Sequence, residues 1–297
     1  MRTEIYKRVT DQIIEALRVG VRPWQNVFVN QKACLPLRSC GEPYKGINVL
    51  ILKMEAFAND FKNPYWFTFK QAKDLGGNVI KGQKSTEIVF YKKLMVNDEN
   101  SEDKKIIPML KTYRVFNADQ IENLPENYDP SKVLNIDVNN CLQPIKEAEN
   151  FFNSVGAEIV TQNLTPCFIP TENKIAIPQM SQFKNEQMYY AVLGHEHVHW
   201  TGHKLRLDRD FSGRMNGNSE QKKSYAFEEL IAEIGSSFLM PSLGLESLID
   251  DNHAPYIAGY LQVLANDERA IFKAAASAQR AVDLLFDLSE KKEVKAA

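Results

Sequence analysis

Four of the five histidines in this chain of 297 residues fall within the stretch GHEHVHWTGH at 194–203. Within it, His195, Glu196 and His199 form the pattern HExxH. Four residues make about one helical turn, so both imidazoles would lie on one helix face and could share a metal ion. Glu196 beside them could hold a water on that ion. Imidazole ligands favour Zn²⁺, with Mn²⁺ or Co²⁺ as alternatives, and the pattern therefore predicts half of a hydrolytic metal site.

The third ligand must come from another segment, because the spacing that would supply a further histidine meets Leu205 instead. The segment YAFEELIAEIG has helical character and contains three glutamates. Glu229 and Glu233 are four residues apart and share a helix face, so we predict Glu229 as the ligand and Glu233 as a support for a ligand histidine. Glu228 points about 100° away and is expected to be exposed. HExxH completed by a distant glutamate is the gluzincin arrangement.

The other polar residues near the motif are assigned smaller roles. His197 lies off the ligand face and is predicted to face solvent. His203 follows His199 by one further turn, and we group it with Glu233 as a supporting residue, although facing the substrate or capping the helix stay open. Tyr225 could point into the site as an electrophile, but packing is the favoured interpretation.

The charge of the chain is divided unevenly. Residues 1–125 contain 20 basic and 14 acidic side chains, whereas the remainder contains 16 and 24. A positive half joined to a negative half suggests that only the first meets a polyanion. No apolar run is long enough for a membrane span and the start MRTEIYKRVTD lacks a secretory signal, so we expect a cytoplasmic protein without a membrane partner.

The hydrophobic pattern predicts an α+β fold in two domains. Residues 1–125 combine amphipathic helices with β-branched and aromatic strands around the charged connection VNDENSEDKK, which indicates a small α+β domain. Residues 126–143 are rich in proline and asparagine and are predicted to be a linker. Residues 144–297 are mainly helical, include short strands and carry the HExxH motif.

Aromatic and cationic residues alternate in the basic half. Bases stack on aromatic faces while lysines neutralise phosphates, and this combination holds single strands without sequence preference. The alternative is that these aromatic residues form the core of an α+β domain, which composition alone supports at least as well.

Long segments of both halves carry a resemblance to a known family. In the first half they are VTDQIIEALRVGVRPW, PYKGINVLIL, WFTFKQAKDLGGNVIKGQKST and YRVFNADQIENLP. In the second half they are HEHVHWTGHKLRLDR, YAFEELIAEIGSSFL and AGYLQVLANDERAIFKAAASAQRA. In order and extent they resemble the plasmid antirestriction proteins of the ArdC type. The resemblance implies an N-terminal single-stranded DNA-binding domain, a zincin-like metallopeptidase domain, and protection of incoming plasmid DNA from restriction during conjugation.

The resemblance supports His195 and His199 as ligands. It also supports Glu196 as the catalytic-type carboxylate and Glu229 as the third ligand. One departure is Asn173, which stands in CFIPTENKIAIP at a place that is usually acidic in such proteins. The family motif does not specify DNA contacts, and those predicted from residue type are Trp24, Tyr44, Lys45, Trp66, Lys70, Lys81 and Lys84.

The leading hypothesis is therefore a single-stranded DNA-binding antirestriction protein with a gluzincin-type zinc site. The alternative is an active zinc metalloprotease that cleaves a DNA-associated or restriction-related protein substrate. A third interpretation is a metal-stabilised DNA-binding module with no enzymatic role. The sequence does not indicate an oligomeric state.

Overall fold

The computed structural model describes residues 2–24, 34–97, 104–129, 142–162, 165–211, 219–246 and 254–296. It combines helices and sheets, and the predicted α+β class is confirmed. Two compact units are present, one formed by residues 1–5 and 36–133 and the other by residues 6–35 and 134–297. Within the described residues, no helix has the length and apolar character needed to span a membrane.

The first unit is built on a four-stranded sheet. Its elements are β1 (Leu37–Arg38), α2 (Ile47–Ala58), β2 (Tyr65–Thr68), α3 (Phe69–Asp74), β3 (Asn78–Val79), β4 (Thr86–Asn97), β5 (Lys104–Asn117) and β6 (Ile121–Glu122). The sheet order is β1-β2-β5-β4, and β5 is antiparallel to both of its neighbours. β3 and β6 form a separate antiparallel pair. The long β4–β5 ladder matches the two predicted strands, and their connection at 98–103 lies outside the described residues.

Local sequence explains how the first unit turns from strand to helix. Thr68 caps α3 by accepting a hydrogen bond from the Gln71 backbone at 3.2 Å, while the Gln71 side chain accepts from the Thr68 backbone. This reciprocal pair is a capping box, and it fixes the first residue of the helix. Phe67, immediately before the cap, is thereby directed into a buried cluster with Ala72, Ala118 and Ile121.

The second unit is mainly helical and includes a small sheet. Its elements are α1 (Arg2–Arg18) from residue 6 onward, α4 (Leu142–Val155), β7 (Glu158–Thr161), β8 (Cys167–Ile169), β9 (Lys174–Ile177), α5 (Glu186–Thr201), α6 (Ser219–Ser242), α7 (Ala254–Asn266) and α8 (Ala270–Ala296). In the sheet, β9 is central, parallel to β7 and antiparallel to β8. Asn173 occupies the β8–β9 turn with φ of 58°, a left-handed conformation that asparagine tolerates, and its side chain accepts a hydrogen bond from Arg206.

Residues near the N-terminus contribute to the core of the second unit. Val9, Ile13 and Leu17 bury the apolar face of α1, as its helical spacing predicts. Trp24, six residues beyond the helix, is completely buried and donates a hydrogen bond from Nε1 to Glu233 Oε2 at 3.2 Å. The sequence pattern assigns residues 1–125 to one domain, and this domain boundary stays a prediction. Most of the predicted linker, residues 130–141, lies outside the described residues.

We predict that Trp24→Ala lowers the free energy of unfolding by about 3–5 kcal/mol, because it removes a buried aromatic ring. Trp24→Phe keeps most of the volume and should cost only the hydrogen bond, about 1–3 kcal/mol. Urea denaturation of the metal-free full chain measures both values. Val19→Ala, at an exposed position of the same segment, is the control. A Trp24→Ala protein as stable as the control would contradict the packing described above.

Candidate metal centre

Helix α5 carries the HExxH motif, and its first residue is set by a cap. Asn185 accepts a hydrogen bond from the Met188 backbone at 2.8 Å, and the helix continues to Thr201 before Gly202 ends it. Fixing the start of the helix also fixes which side chains share a face. His195 and His199 therefore project together toward α6.

Two glycines allow α5 and α6 to approach closely. A Cβ atom added to Gly194 would lie 2.5 Å from the Met240 Cε atom. A Cβ atom added to Gly235, on α6, would lie 2.8 Å from both γ-methyl groups of Val198. Both distances are far below van der Waals contact. The Met240 methyl ends a flexible side chain and can move aside, whereas the branched Val198 side chain is held near its backbone, so a larger residue at Gly235 would force the helices apart. The glycines thus bring the histidines of α5 within reach of the carboxylates of α6.

The three predicted ligands come together at this contact. The Nε2 atoms of His195 and His199 are 3.1 Å apart. Glu229 Oε1 lies 3.4 Å from His199 Nε2, and Glu229 Oε2 lies 3.6 Å from His195 Nε2. Donors bound tetrahedrally to one zinc at 2.0–2.1 Å are separated by about 3.4 Å. The spacing and the donor types therefore fit a single divalent cation, and this is the group with metal-ligand spacing found among the described residues.

Strong electrostatic coupling links these groups. Burial by itself would lower the pKa of His199, but the Glu229 and Glu228 carboxylates outweigh burial and raise that pKa to about 10. Burial would raise the pKa of Glu229, yet the imidazoles of His199 and His195 hold it well below its usual range. The carboxylate of the predicted ligand Glu229 is thus kept ionised, the form that can bind a cation.

Glu228 is buried, and the prediction that it is exposed is wrong. Its Oε1 atom lies 3.0 Å from His199 Nδ1, and Arg209 donates to both of its carboxylate oxygens at 2.8 Å. Glu228 and Glu229 point in different directions from α6, but the His199 ring lies between their carboxylates. The ring meets Glu229 with Nε2 and Glu228 with Nδ1, so both carboxylates are buried.

His197 lies off the ligand face as predicted, but the prediction that it faces solvent is wrong. It is completely buried, with Nδ1 at 2.8 Å from the Leu193 carbonyl and its ring packed against Phe152. Burial lowers its pKa to about 4, so it remains neutral near pH 7. His197 is therefore a core histidine.

The predicted supporting residues have other contacts. Glu233 is buried and accepts the hydrogen bond from Trp24. His203 is also buried, accepts from the Leu205 backbone at 3.3 Å and packs edge-on against Phe168. The support of a ligand histidine by Glu233 or His203 stays a prediction.

Glu196 is held beside the ligands by the small sheet. Its Oε2 atom accepts a hydrogen bond from the Phe168 backbone on the edge strand β8 at 2.6 Å.

Tyr225, which the sequence favoured as a packing residue, hydrogen-bonds to Glu229 and Tyr256. Its position one helical turn before Glu229 was a usable signal. Arg209 lies in the loop after α5, where no periodicity could have indicated it.

The structure separates the predicted DNA contacts into two groups. Trp24, Tyr44 and Trp66 are buried, so their selection as stacking residues was wrong, because a core ring offers no face to a base. The four predicted lysines, at positions 45, 70, 81 and 84, are all exposed. The aromatic residues that are exposed in the first unit, among them Phe69, Phe90, Tyr91 and Tyr113, were not among the predicted contacts.

Two family models match the chain, one in each half of the sequence. Residues 146–277 match a model described as a zincin-like metallopeptidase. Residues 3–116 match a model described as the N-terminal domain of the anti-restriction factor ArdC.

Known proteins resemble the chain over nearly its full length. Crystal structures of the antirestriction protein ArdC from the R388 plasmid have TM-scores of 0.81 (metal-free) and 0.77 (Mn(II)-bound). Both are 42% identical, and the match covers 96% of this chain and 98% or 97% of the other. The uncharacterized protein y4eC of Sinorhizobium fredii is 32% identical, with 95% of this chain and 91% of y4eC covered.

Two DNA primases named TraC, from Escherichia coli, are much longer than this chain. They are 31% and 32% identical to it over 96% and 95% of its residues. The matched region is only 27% of one primase and 20% of the other.

We predict that Gly235→Ala destabilises the protein, although alanine normally favours a helix over glycine by about 0.5–1 kcal/mol. The added methyl group would collide with Val198, so the expected loss is about 1–3 kcal/mol, accompanied by weaker binding of Zn²⁺. Urea denaturation and zinc titration measure the two effects. Lys222→Ala, at an exposed position of α6, is the control. A Gly235→Ala protein that is more stable than wild type would contradict the close helix contact.

Proposed function

Because this chain belongs to the ArdC family of antirestriction proteins, we propose that it binds single-stranded DNA and thereby protects incoming plasmid DNA from restriction during conjugation. The observation that carries the proposal is an aromatic surface on the β4–β5 ladder. Similarity to two proteins named DNA primase supports a role on DNA.

The surface, here named the hairpin aromatic patch, consists of Phe90, Tyr113 and Lys111. Phe90 is 50% exposed and Tyr113 is 46% exposed, and their ring centroids are 6.2 Å apart. Lys111 stands directly opposite Phe90 in the antiparallel register. Side chains two residues apart on a strand, and those directly opposite across the ladder, share a face of the sheet. Two rings and one cation therefore lie on the same side of the hairpin.

Such a patch suits unpaired bases better than a duplex. In a double helix the base faces are stacked on each other, whereas a single strand can lay its bases on exposed rings. Lys111 supplies a charge for the adjacent phosphate, and the exposed lysines at 45, 70, 81 and 84 extend the cationic surface of this unit. We propose these five lysines as the phosphate contacts.

Peptide hydrolysis is the second candidate function, favoured by the spacing of His195, His199 and Glu229. These three residues would hold a divalent cation, Zn²⁺ by ligand type, with Mn²⁺ supported by the Mn(II)-bound structure of the R388 protein. When bound, the cation would lower the pKa of a water molecule and polarise a substrate carbonyl. Glu196 would accept the proton, since the hydrogen bond from Phe168 fixes Oε2 and leaves Oε1 as the acceptor.

We expect Phe90→Ala and Tyr113→Ala each to weaken binding of a fluorescein-labelled oligo(dT) roughly 5- to 150-fold, the equivalent of about 1–3 kcal/mol per stacked base. Lys111→Gln should reduce the salt dependence, the slope of log K against log[salt], by about 0.7. Fluorescence anisotropy of the full chain over a range of salt measures both. Phe57→Ala, at another exposed aromatic of the same unit, is the matched control. The patch is not the binding surface if Phe57→Ala weakens binding as much as the patch variants do.

Glu196→Gln should reduce hydrolysis of labelled casein by the zinc-loaded protein about 10²- to 10⁴-fold, because the amide cannot accept the proton. The zinc content, measured by atomic absorption, should be unchanged. Glu172→Gln, which removes an exposed carboxylate in the β8–β9 turn, is the control. Hydrolysis that survives in Glu196→Gln would exclude the proposed role. If this variant still protects DNA from restriction in cells, hydrolysis is not the mechanism of protection.

A further inference from the structure

A buried ion pair lies on the side of His199 that faces away from the other ligands. Arg209 donates from Nε to Glu228 Oε2 and from its terminal guanidinium nitrogen to Glu228 Oε1, both at 2.8 Å. Glu228 Oε1 in turn lies 3.0 Å from His199 Nδ1. The Glu228 side chain is almost completely enclosed. A charge pair in such a position is costly unless all its members are hydrogen-bonded, and here each member is.

We propose that Glu228 and Arg209 are positioning residues of the metal centre, an inference that rests on the proposed metal site. An ionised carboxylate can only accept hydrogen bonds. Glu228 therefore keeps a proton on His199 Nδ1, and the lone pair of the neutral ring is left on Nε2. Nε2 is the atom that faces His195 and Glu229. The carboxylate thus selects the tautomer and the ring orientation that a cation requires.

Arg209 fixes Glu228 to the helix that carries His199. Besides its two bonds to the carboxylate, it donates to the Thr201 hydroxyl at 2.9 Å and to the Val198 carbonyl at 2.6 Å. Both acceptors lie in the last turn of α5, next to His199. Gly202 provides room for this, because a Cβ atom there would lie 2.8 Å from the guanidinium group. The result is a closed ring of contacts from His199 through Glu228 and Arg209 back to α5.

The geometry separates this role from that of a metal ligand. Glu228 meets Nδ1, whereas the donor cluster is on the Nε2 side of the ring. Its neighbour Glu229 occupies that side and bridges both histidines. Two consecutive glutamates therefore contact opposite edges of the His199 imidazole. Glu229 lies at Nε2, where the ion would bind, and Glu228 lies at Nδ1.

The test measures Zn²⁺ dissociation constants of full-chain variants by competition with a chromophoric chelator. Glu228→Leu should weaken zinc binding about 10- to 100-fold, the usual effect of losing the partner of a ligand histidine. Glu228→Gln keeps an acceptor for Nδ1–H but cannot form an ion pair with Arg209, so it should show a smaller loss. Arg209→Lys keeps the charge without the two-pronged contact and should weaken binding as well. Glu186→Gln, on the exposed first turn of α5, is the matched control and should bind like wild type.

Proton NMR of the zinc-loaded protein provides a readout that a merely structural role would not change. In Glu228→Gln the His199 Nδ1–H resonance should move upfield, because its charge-assisted hydrogen bond is lost, while the resonances of His195 stay in place. Should Glu228→Leu fail to fold, Glu228→Gln and Arg209→Lys decide the question.

The outcomes distinguish the two levels of inference. If the wild-type chain binds no Zn²⁺, the proposed metal site is wrong and the positioning role falls with it. If wild type binds Zn²⁺ and the Glu228 and Arg209 variants bind it within a factor of about two, the metal site stands and the positioning role is overturned. Weaker binding together with the selective shift of His199 supports both.

Discussion

The close contact between α5 and α6 is the constraint on which the chemistry of the second unit depends. The proposed ligands are divided between the two helices, with His195 and His199 on one and Glu229 on the other, so the separation of the helix axes decides whether one ion could reach all three. Gly235 lacks the side chain that would otherwise collide with Val198 and set a larger separation. Packed interiors respond to the addition of even one methyl group, and the donor atoms, 3.1–3.6 Å apart, leave little tolerance.

This arrangement requires α6 to bury three carboxylates within six residues, which is costly unless each has a partner. Glu229 meets the two ligand histidines, Glu228 meets His199 and Arg209, and Glu233 meets the Trp24 indole. These partners come from α5, from the loop that follows it, and from a segment more than 200 residues away in sequence. The N-terminal segment thus supplies the hydrogen-bond partner of a buried carboxylate on α6, the helix that also carries Glu229.

The sequence predicted the parts of the site that depend on periodicity within one helix. The four-residue spacing placed His195 and His199 on one face of α5, and the same spacing on α6 led to Glu229. Helical periodicity gives the angle between side chains, but it does not tell how much of the helix circumference is covered by neighbours. Residues 228–241 of α6 are buried on all sides. For that reason the prediction that Glu228 is exposed was wrong. Arg209 was missed because a loop has no period.

Residue type also could not separate stacking aromatics from core aromatics in the first unit. Trp66 and Tyr44 are residue types that can stack on a base. Whether their rings are accessible, however, depends on which strands and helices cover them. The pairing of β4 with β5 shows which rings share a face of the hairpin. Phe90 and Tyr113 lie on the same face, and both rings are exposed there. The exposed lysines of the same unit would attract a polyanion through charge that salt screens, whereas the donors of the proposed metal centre are largely buried and screened far less. The two proposed activities therefore depend on different interactions. DNA binding depends on stacking and surface charge in the first unit, whereas hydrolysis depends on metal coordination by buried donors in the second.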